Sequence, residues 1–226
     1  MNPAVCALMA KQPVVGRAKT RLAPPLTLAQ AAALYEALLR DAIDLAAGIP
    51  GLDLAVAISP PEAQAYFEAI TPPGTLLLPV EGADIGACLA QVFERLLELG
   101  WGRVLALNSD GPSLPPASLQ QALALLEQAD LALGPAADGG YYLVGMRRFH
   151  PGIFQDVAWS TGGVLAQTLQ RAEALGLSAA LLPEWYDVDT IADLQRLQTE
   201  LAGLPAGRLA HTRRWLAESS GGLAAG

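Results

Sequence analysis

Short apolar runs alternate along the chain with longer stretches in which apolar residues recur every three or four positions. Ala4 to Met9 reads as a buried strand. The loop after it is punctuated by Pro13, Gly16, Pro24 and Pro25, and Thr27 stands as the cap of a helix to about Ala47, with Ala31, Leu34, Leu38, Ala42 and Leu45 on one face. The alternation continues with a strand over Leu54 to Ile58, a short helix over Pro61 to Ile70 and a strand over Leu76 to Val80. Asp84 to Leu99 carries a helical stripe of Ile85, Leu89, Val92, Phe93, Leu96 and Leu97, and Val104 to Leu107 is again a strand. A helix opened by Pro115 and Pro116 precedes strands at Leu131 to Leu133 and Tyr141 to Val144. Ser160 or Thr161 is expected to cap a helix to about Leu175. A strand at Ala179 to Leu182 and a last clear helix at Thr190 to Leu201 follow. One further amphipathic turn surrounds Trp215, and the final SSGGLAAG reads as disordered.

Strands alternating with helices at this spacing predict an α/β fold: one Rossmann-like domain over residues 1–203, with a mostly parallel central sheet covered by helices on both faces, and a C-terminal extension over 204–226. Ligands of such sheets occupy the crevice beyond the carboxyl ends of the strands. The loop after the first strand and the NSDGP segment containing Asp110 both fall at that edge.

Charge narrows the partners. A formal net charge of −8 argues against a general binder of nucleic acid or anionic membrane, since such proteins need a basic face. No run approaches the roughly 20 apolar residues of a membrane span, and the first residues lack the basic region of a signal peptide, so a cytoplasmic location is expected. Cys6 and Cys88 have no redox or zinc spacing and are read as buried apolar residues. His150 and His211 have no evident catalytic partners.

Against this acidic background, Lys11 and Lys19 are the only two lysines, and with Arg17 and Arg21 they place four of the 14 basic side chains in one loop. Backbone amides of glycine-containing loops, mobile lysines and forked arginines are the groups that hold phosphates. The stretch is neither a Walker loop nor a dinucleotide fingerprint. A solvated surface loop is the alternative. Asp110 can be a ligand for a hard cation or the start of an Asx-turn. Asp187 and Asp189 can bind a metal, or Asp189 can cap the last helix with Asp193 in its first turn. Asp138-Gly139-Gly140 can be a hairpin turn or a place where a ligand approaches the backbone, contacted by Asp138 or a tyrosine hydroxyl. Trp159-Ser160-Thr161 can supply free amides at a helix start, and Trp159 can equally be core.

Five ordered motifs together resemble a family. Lys11-x-Pro13-x-x-Gly16-x-x-Lys19-Thr20-Arg21-Leu22, Ser109-Asp110-x-Pro112, Asp138-Gly139-Gly140-Tyr141-Tyr142-Leu143-x-Gly145, Trp159-Ser160-Thr161 and Asp187-x-Asp189-Thr190 look like the bacterial glycosyltransferase-like proteins of the nucleotide-diphospho-sugar transferase superfamily. The resemblance covers roughly residues 4–201 and implies the GT-A fold. Gly16-x-x-Lys19 is similar to the end of the signature of molybdenum-cofactor nucleotidylyltransferases, without their preceding double glycine and Arg-Met-Gly. Asp187 and Asp189 resemble a metal-ligand pair of phospholactate guanylyltransferase-like proteins. Where glycosyltransferases carry Asp-x-Asp, this chain reads Asp-Gly-Pro.

The resemblance implies nucleotide binding by Met9, Ala10, Lys11, Gly16, Arg17, Lys19, Arg21 and Ser109. It implies an Mg2+ or Mn2+ ion on Asp110, Asp187 and Asp189 and catalytic roles for Lys19 and Asp110, and Asp138, read from its own segment, is the candidate catalytic base. Gly139, Gly140, Tyr141, Trp159, Ser160 and Thr161 would meet a small-molecule acceptor. The implied activity is glycosyl transfer from a nucleotide sugar. Nucleotidylyl transfer from a nucleoside triphosphate to a phosphorylated small molecule is the second expectation, and a non-catalytic nucleotide-binding protein a third. Homodimerisation is left open.

Overall fold

The structure is a computed structural model and describes residues 3–223. Seven strands form one sheet: β1 (Ala4–Lys11), β2 (Asp53–Ser59), β3 (Leu76–Pro79), β4 (Arg103–Asn108), β5 (Leu131–Pro135), β6 (Tyr141–Met146) and β7 (Ala179–Leu181). Their order is β3-β2-β1-β4-β6-β5-β7. β3, β2, β1 and β4 are mutually parallel, β6 runs antiparallel between β4 and β5, and β7 is parallel to β5. The sheet is therefore mostly parallel, with the antiparallel strand introduced by the β5–β6 hairpin.

The helices are α1 (Leu28–Ala47), α2 (Gln64–Ile70), α3 (Ile85–Glu98), α4 (Pro116–Leu125), α5 (Val164–Ala174), α6 (Ile191–Leu201) and α7 (Ala210–Leu223). Side-chain alternation on β1 shows how two faces are built. Cys6 and Leu8 join a core with Leu39, Ile43 and Leu119 of α1 and α4. Val5 and Ala7 turn the other way, onto Val92, Phe93 and Leu96 of α3. A further apolar cluster joins Leu34 and Leu38 of α1 to Leu194 and Leu197 of α6 and Trp215 of α7.

Thr27 caps α1 as expected, in a reciprocal capping box with Gln30. Several expectations need correction. The N-cap of α5 is Gly163, because Ser160 adopts a left-handed φ of 63° and the Thr161 hydroxyl donates to the Ala158 carbonyl, so a turn precedes the helix. Thr190, not Asp189, caps α6, in a box with Asp193. Cys6 is fully buried, whereas Cys88 is only half-buried. The turn expected at Trp215 is the full helix α7, whose first amides are capped by Asp41 of α1 through His211 N–H at 3.0 Å and Thr212 N–H at 2.8 Å. The segment read as disordered begins inside that helix, and residues 224–226 lie outside the described residues.

Candidate active site

The strand order reverses between β1 and β4, and the chain leaves both strands at the same sheet edge. A crevice opens where the loops above two such strands diverge. Register pairs Met9 with Asn108 and Lys11 with Ser59, so the basic loop and the Asn108-Ser109-Asp110 segment leave the sheet side by side.

Two cavities meet here. One, of about 660 Å³, is lined by Lys11, Arg17, Lys19, Arg21, Ser109, Asp110 and Asp189 among others. The second, of about 560 Å³, is lined by Asp138, Gly140, Tyr141, Trp159, Ser160, Thr161 and Asp187 among others. Met9, Arg21, Ile85, Asn108 and Asp110 border both.

Lys19 ties the loops together. Its backbone is left-handed, at φ 49°, and its ammonium lies 2.7 Å from Asp189 Oδ1 and 3.1 Å from Asp110 Oδ2. Only 6% of its side chain is exposed. Burial opposes its charge, but Asp110 and Asp189 together outweigh burial and hold its pKa above the usual lysine value. Arg21 reaches Asp189 Oδ2 at 3.5 Å from solvent. Lys11 and Arg17 are exposed.

Tyr35 of α1 braces the floor. Its hydroxyl accepts the Lys11 N–H at 3.1 Å and lies 3.0 Å from Ser109 Oγ. Ser109 Oγ lies 3.4 Å from Asp110 Oδ1, at the long end of a hydrogen bond. Burial, then the Asp110 charge, push the Tyr35 phenol up to about 12.

Asp187 meets the Asp110 turn from the far side. It accepts the Asn108 Nδ2 donor at 2.6 Å, and the Val188 N–H donates to the Asp110 carbonyl at 2.9 Å. A Cβ on Gly111 would come within 2.8 Å of the Tyr186 carbonyl and 3.3 Å of Asp187 Oδ1. The residue after Asp110 must therefore lack a side chain, which gives the Asp-Gly-Pro sequence a physical reason. Burial, and then repulsion from Asp110, push the Asp187 carboxyl up to about 7 despite the Asn108 hydrogen bond.

These carboxylates fit a divalent cation in charge and chemistry. Lys19 partly neutralises Asp110 and Asp189, while the raised pKa of Asp187 marks a place where more positive charge would be favourable. Mg2+ and Mn2+ prefer such oxygen ligands, commonly one or two carboxylates plus phosphate oxygens. The three aspartates do not converge as a closed cage. Among the described residues, only Asp41, Asp44 and His211 bring three ligand atoms within 4.8 Å of one another. There both Asp41 oxygens already accept the first amides of α7.

Most sequence-derived candidates gather in the two cavities, and three do not line them. Ala10 is buried in β1. Gly16, at φ +79°, shapes the turn in which Arg17 and Ala18 N–H donate to the Val14 carbonyl. Gly139, at φ +88°, lies against the Gly162 carbonyl with no room for a Cβ, so it docks the β5–β6 hairpin on the start of α5. The hairpin reading of Asp138-Gly139-Gly140 holds too: Gly140 N–H donates to Asp138 Oδ1 at 2.9 Å. The Tyr141 hydroxyl is buried and meets no hydrogen-bond partner among the described residues, leaving the ring as wall. Trp159 is half-buried, 6.3 Å from the Tyr141 ring and packed on Gly86 of α3.

Sequence reasoning missed Tyr35, Asn108 and the wall residue Ile85, which is 40% exposed despite its place in the α3 stripe. It also missed Arg208, which donates to the carbonyls of Pro112 and Leu114 at 3.2 and 3.0 Å and so holds the turn after Asp110.

No curated protein matches the chain. A provisionally named nucleotide-diphospho-sugar transferase of Desulfovibrio desulfuricans G20 is 29% identical, with a TM-score of 0.89 over 98% of this chain and 96% of that one. The CMP:2-keto-3-deoxy-manno-octonic acid synthetase complexed with CTP shares the fold at 15% identity, with a TM-score of 0.58 over 88% and 98% of the two chains. So does the Mycobacterium tuberculosis H37Rv protein Rv0371C in complex with manganese, at 18% identity and a TM-score of 0.51 over 86% and 97%. The family model described as an uncharacterized protein conserved in bacteria, DUF2064, matches residues 42–161, more than half of the sequence. The chain belongs to the DUF2064 family and carries the Rossmann-like GT-A fold of the nucleotide-diphospho-sugar transferases.

Proposed function

We propose that this chain is an enzyme, a metal-dependent nucleotide-sugar transferase acting on a small-molecule acceptor. One observation carries the reading: at the point where the sheet order reverses, a basic cavity and an acidic cavity share a wall at Asp110. The name of the Desulfovibrio relative supports it.

In this reading the donor diphosphate lies in the basic cavity. Lys11, Arg17 and Arg21 are exposed there and reach its oxygens, and Met9 and Ser109 line the floor. Lys19, charged and held in place, fixes Asp110 and Asp189 and stabilises the negative charge of the departing nucleoside diphosphate. An Mg2+ or Mn2+ ion held by Asp110 and Asp187, with Asp189 beside them, would supply charge neutralisation at the diphosphate.

The acceptor lies between Gly140, Tyr141, Trp159, Ser160 and Thr161. Its hydroxyl oxygen bonds to the anomeric carbon of the donor sugar. The bond from that carbon to the diphosphate oxygen breaks, and its electron pair leaves on the nucleoside diphosphate. Asp138 Oδ2 takes the hydroxyl proton, Oδ1 being engaged by the Gly140 amide. Residues 1–203 form the transferase domain and 204–226 its extension, and the protein works in the cytoplasm without nucleic acid or membrane partners.

The aspartate arrangement favours a second reading, nucleotidylyl transfer. Asp187 and Asp189 flank Asp110, and the fold is shared with a CTP-bound synthetase. A panel of nucleotide sugars and nucleoside triphosphates, offered with Mg2+ and both phosphorylated and unphosphorylated acceptors, separates the two. Nucleoside diphosphate release is expected. Pyrophosphate release would move the assignment to nucleotidylyl transfer, and nucleotide binding without turnover would leave a binding protein.

A further inference from the structure

The acceptor-side cavity has a charge pattern that bears on what it accepts. Its charged lining residues are Asp110, Asp138, Asp187 and Arg21. Arg21 is 71% exposed and already reaches Asp189 at 3.5 Å. Lys11, Arg17 and Lys19 border only the donor-side cavity. A phosphate entering the acceptor side would thus meet the carboxyl groups of Asp110, Asp138 and Asp187, of which Asp138 is exposed, and one shared, solvated guanidinium. The Asp138 hairpin is docked against the approach to α5 through Gly139 and Gly162, so the turn before that helix and Asp138 line the same cavity. Even with a divalent cation neutralising Asp110 and Asp187, Asp138 remains on that side without a cationic partner among the described residues.

Much of the remaining wall is apolar, with Tyr141, Tyr142 and Trp159 beside Ile85, Leu89 and Val164. Trp159 packs edge-to-face with Tyr141 and lies on Gly86 of α3, where any Cβ would collide with the indole. An apolar face backed by carboxylates suits a molecule with a hydrocarbon face and hydroxyl donors on its rim. Hydroxyls donate to carboxylates, whereas phosphates are repelled by them.

Resting on the transferase reading above, we propose that the acceptor is an uncharged, polyhydroxylated small molecule carrying no phosphate. The nucleophile is one of its hydroxyl groups, and Asp138 acts as a selectivity residue that rejects phosphorylated analogues. This holds for glycosyl transfer, and under the second reading it predicts nucleotidylyl transfer to a hydroxyl rather than to a phosphate.

The test uses matched pairs that differ only in a phosphate: glucose with glucose 6-phosphate, inositol with inositol 1-phosphate, and glycerol with glycerol 3-phosphate. Binding to the full chain is measured by saturation-transfer NMR titration, with and without manganese and a nucleoside diphosphate. The unphosphorylated member of at least one pair is expected to bind at least about tenfold tighter. Asp138→Asn should narrow that gap by strengthening the phosphorylated member, an effect that a folding defect would not produce. Equal or tighter binding of the phosphorylated members, no binding of any pair, or a gap unchanged in Asp138→Asn would overturn the proposal. Titration of the nucleoside diphosphate with manganese alone tests the donor reading separately, so failure of that reading is distinguishable from failure of this one.

Discussion

The donor-side cavity is lined by four cations and two carboxylates, Lys11, Arg17, Lys19 and Arg21 with Asp110 and Asp189. The acceptor-side cavity has Arg21 alone against Asp110, Asp138 and Asp187, although Met9, Asn108 and Asp110 wall both. The contrast comes from which loops the fold delivers to each side. The loop after β1 brings the cations, and the β5–β6 hairpin brings Asp138. Charge therefore changes sign across a short distance centred on Asp110, and in the proposed reaction the breaking bond lies at that boundary. The proposed reaction would divide binding and bond cleavage between neighbouring surfaces of opposite charge.

Removing the boundary carboxylate should have the largest effect. Asp110→Asn is expected to lower turnover roughly 10³-fold and to abolish metal-dependent nucleotide binding. Full retention of that binding by calorimetry would remove Asp110 from the proposed metal site.

Lys19→Ala should come next. It takes away the ammonium between Asp110 and Asp189 and is expected to lower turnover about 10²-fold, with a sharp fall in nucleotide affinity. Breaking a buried pair costs about 3–5 kcal/mol, but both carboxylates keep about a third of their exposure, so a stability loss of roughly 1–3 kcal/mol is expected in denaturant titration. Unchanged nucleotide affinity would contradict the role of the loop.

Arg208→Ala loosens the turn after Asp110 without touching either cavity. Manganese affinity should fall about tenfold, and Arg208→Lys should restore part of it. A variant that loses stability while keeping its manganese affinity would show that Arg208 serves the fold alone.

The smallest effect concerns pH. The folded pKa of Asp187 lies above its unfolded value, so its stabilising contribution is complete below about pH 4 and is lost as pH rises through about 7. In the chelated protein, Asp187→Asn should remove this loss. Its melting temperature relative to wild type should rise between pH 4 and 7 and level off above. A constant difference across that range would mean that burial and the Asp110 charge do not raise the Asp187 pKa in the folded protein.

Much of this arrangement is legible in the sequence. Apolar runs and helical stripes locate the seven strands and most helices, because burial on a two-sided sheet imposes those periods. The lysines and Asp110 declare themselves by following strands. What escapes detection depends on contacts between distant segments. Tyr35 sits on an apolar helix face, and only the packing of α1 on β1 and β2 brings its hydroxyl to Lys11 and Ser109. Asp189 looks like a helix cap in local context, yet a lysine 170 residues away engages it while Thr190 takes the capping role. Arg208 lies 96 residues from its carbonyl partner at Pro112, and no local pattern marks it.

In the proposed function, donor phosphates and metal meet at the wall shared by the two cavities. A crystal structure of the protein soaked with manganese and a nucleoside diphosphate, with manganese located by anomalous scattering, tests it most directly. An anomalous peak is expected at Asp110 and Asp187, with the diphosphate on the Lys11, Arg17 and Arg21 side. A nucleotide bound elsewhere, or manganese found only at Asp41, Asp44 and His211, would contradict it.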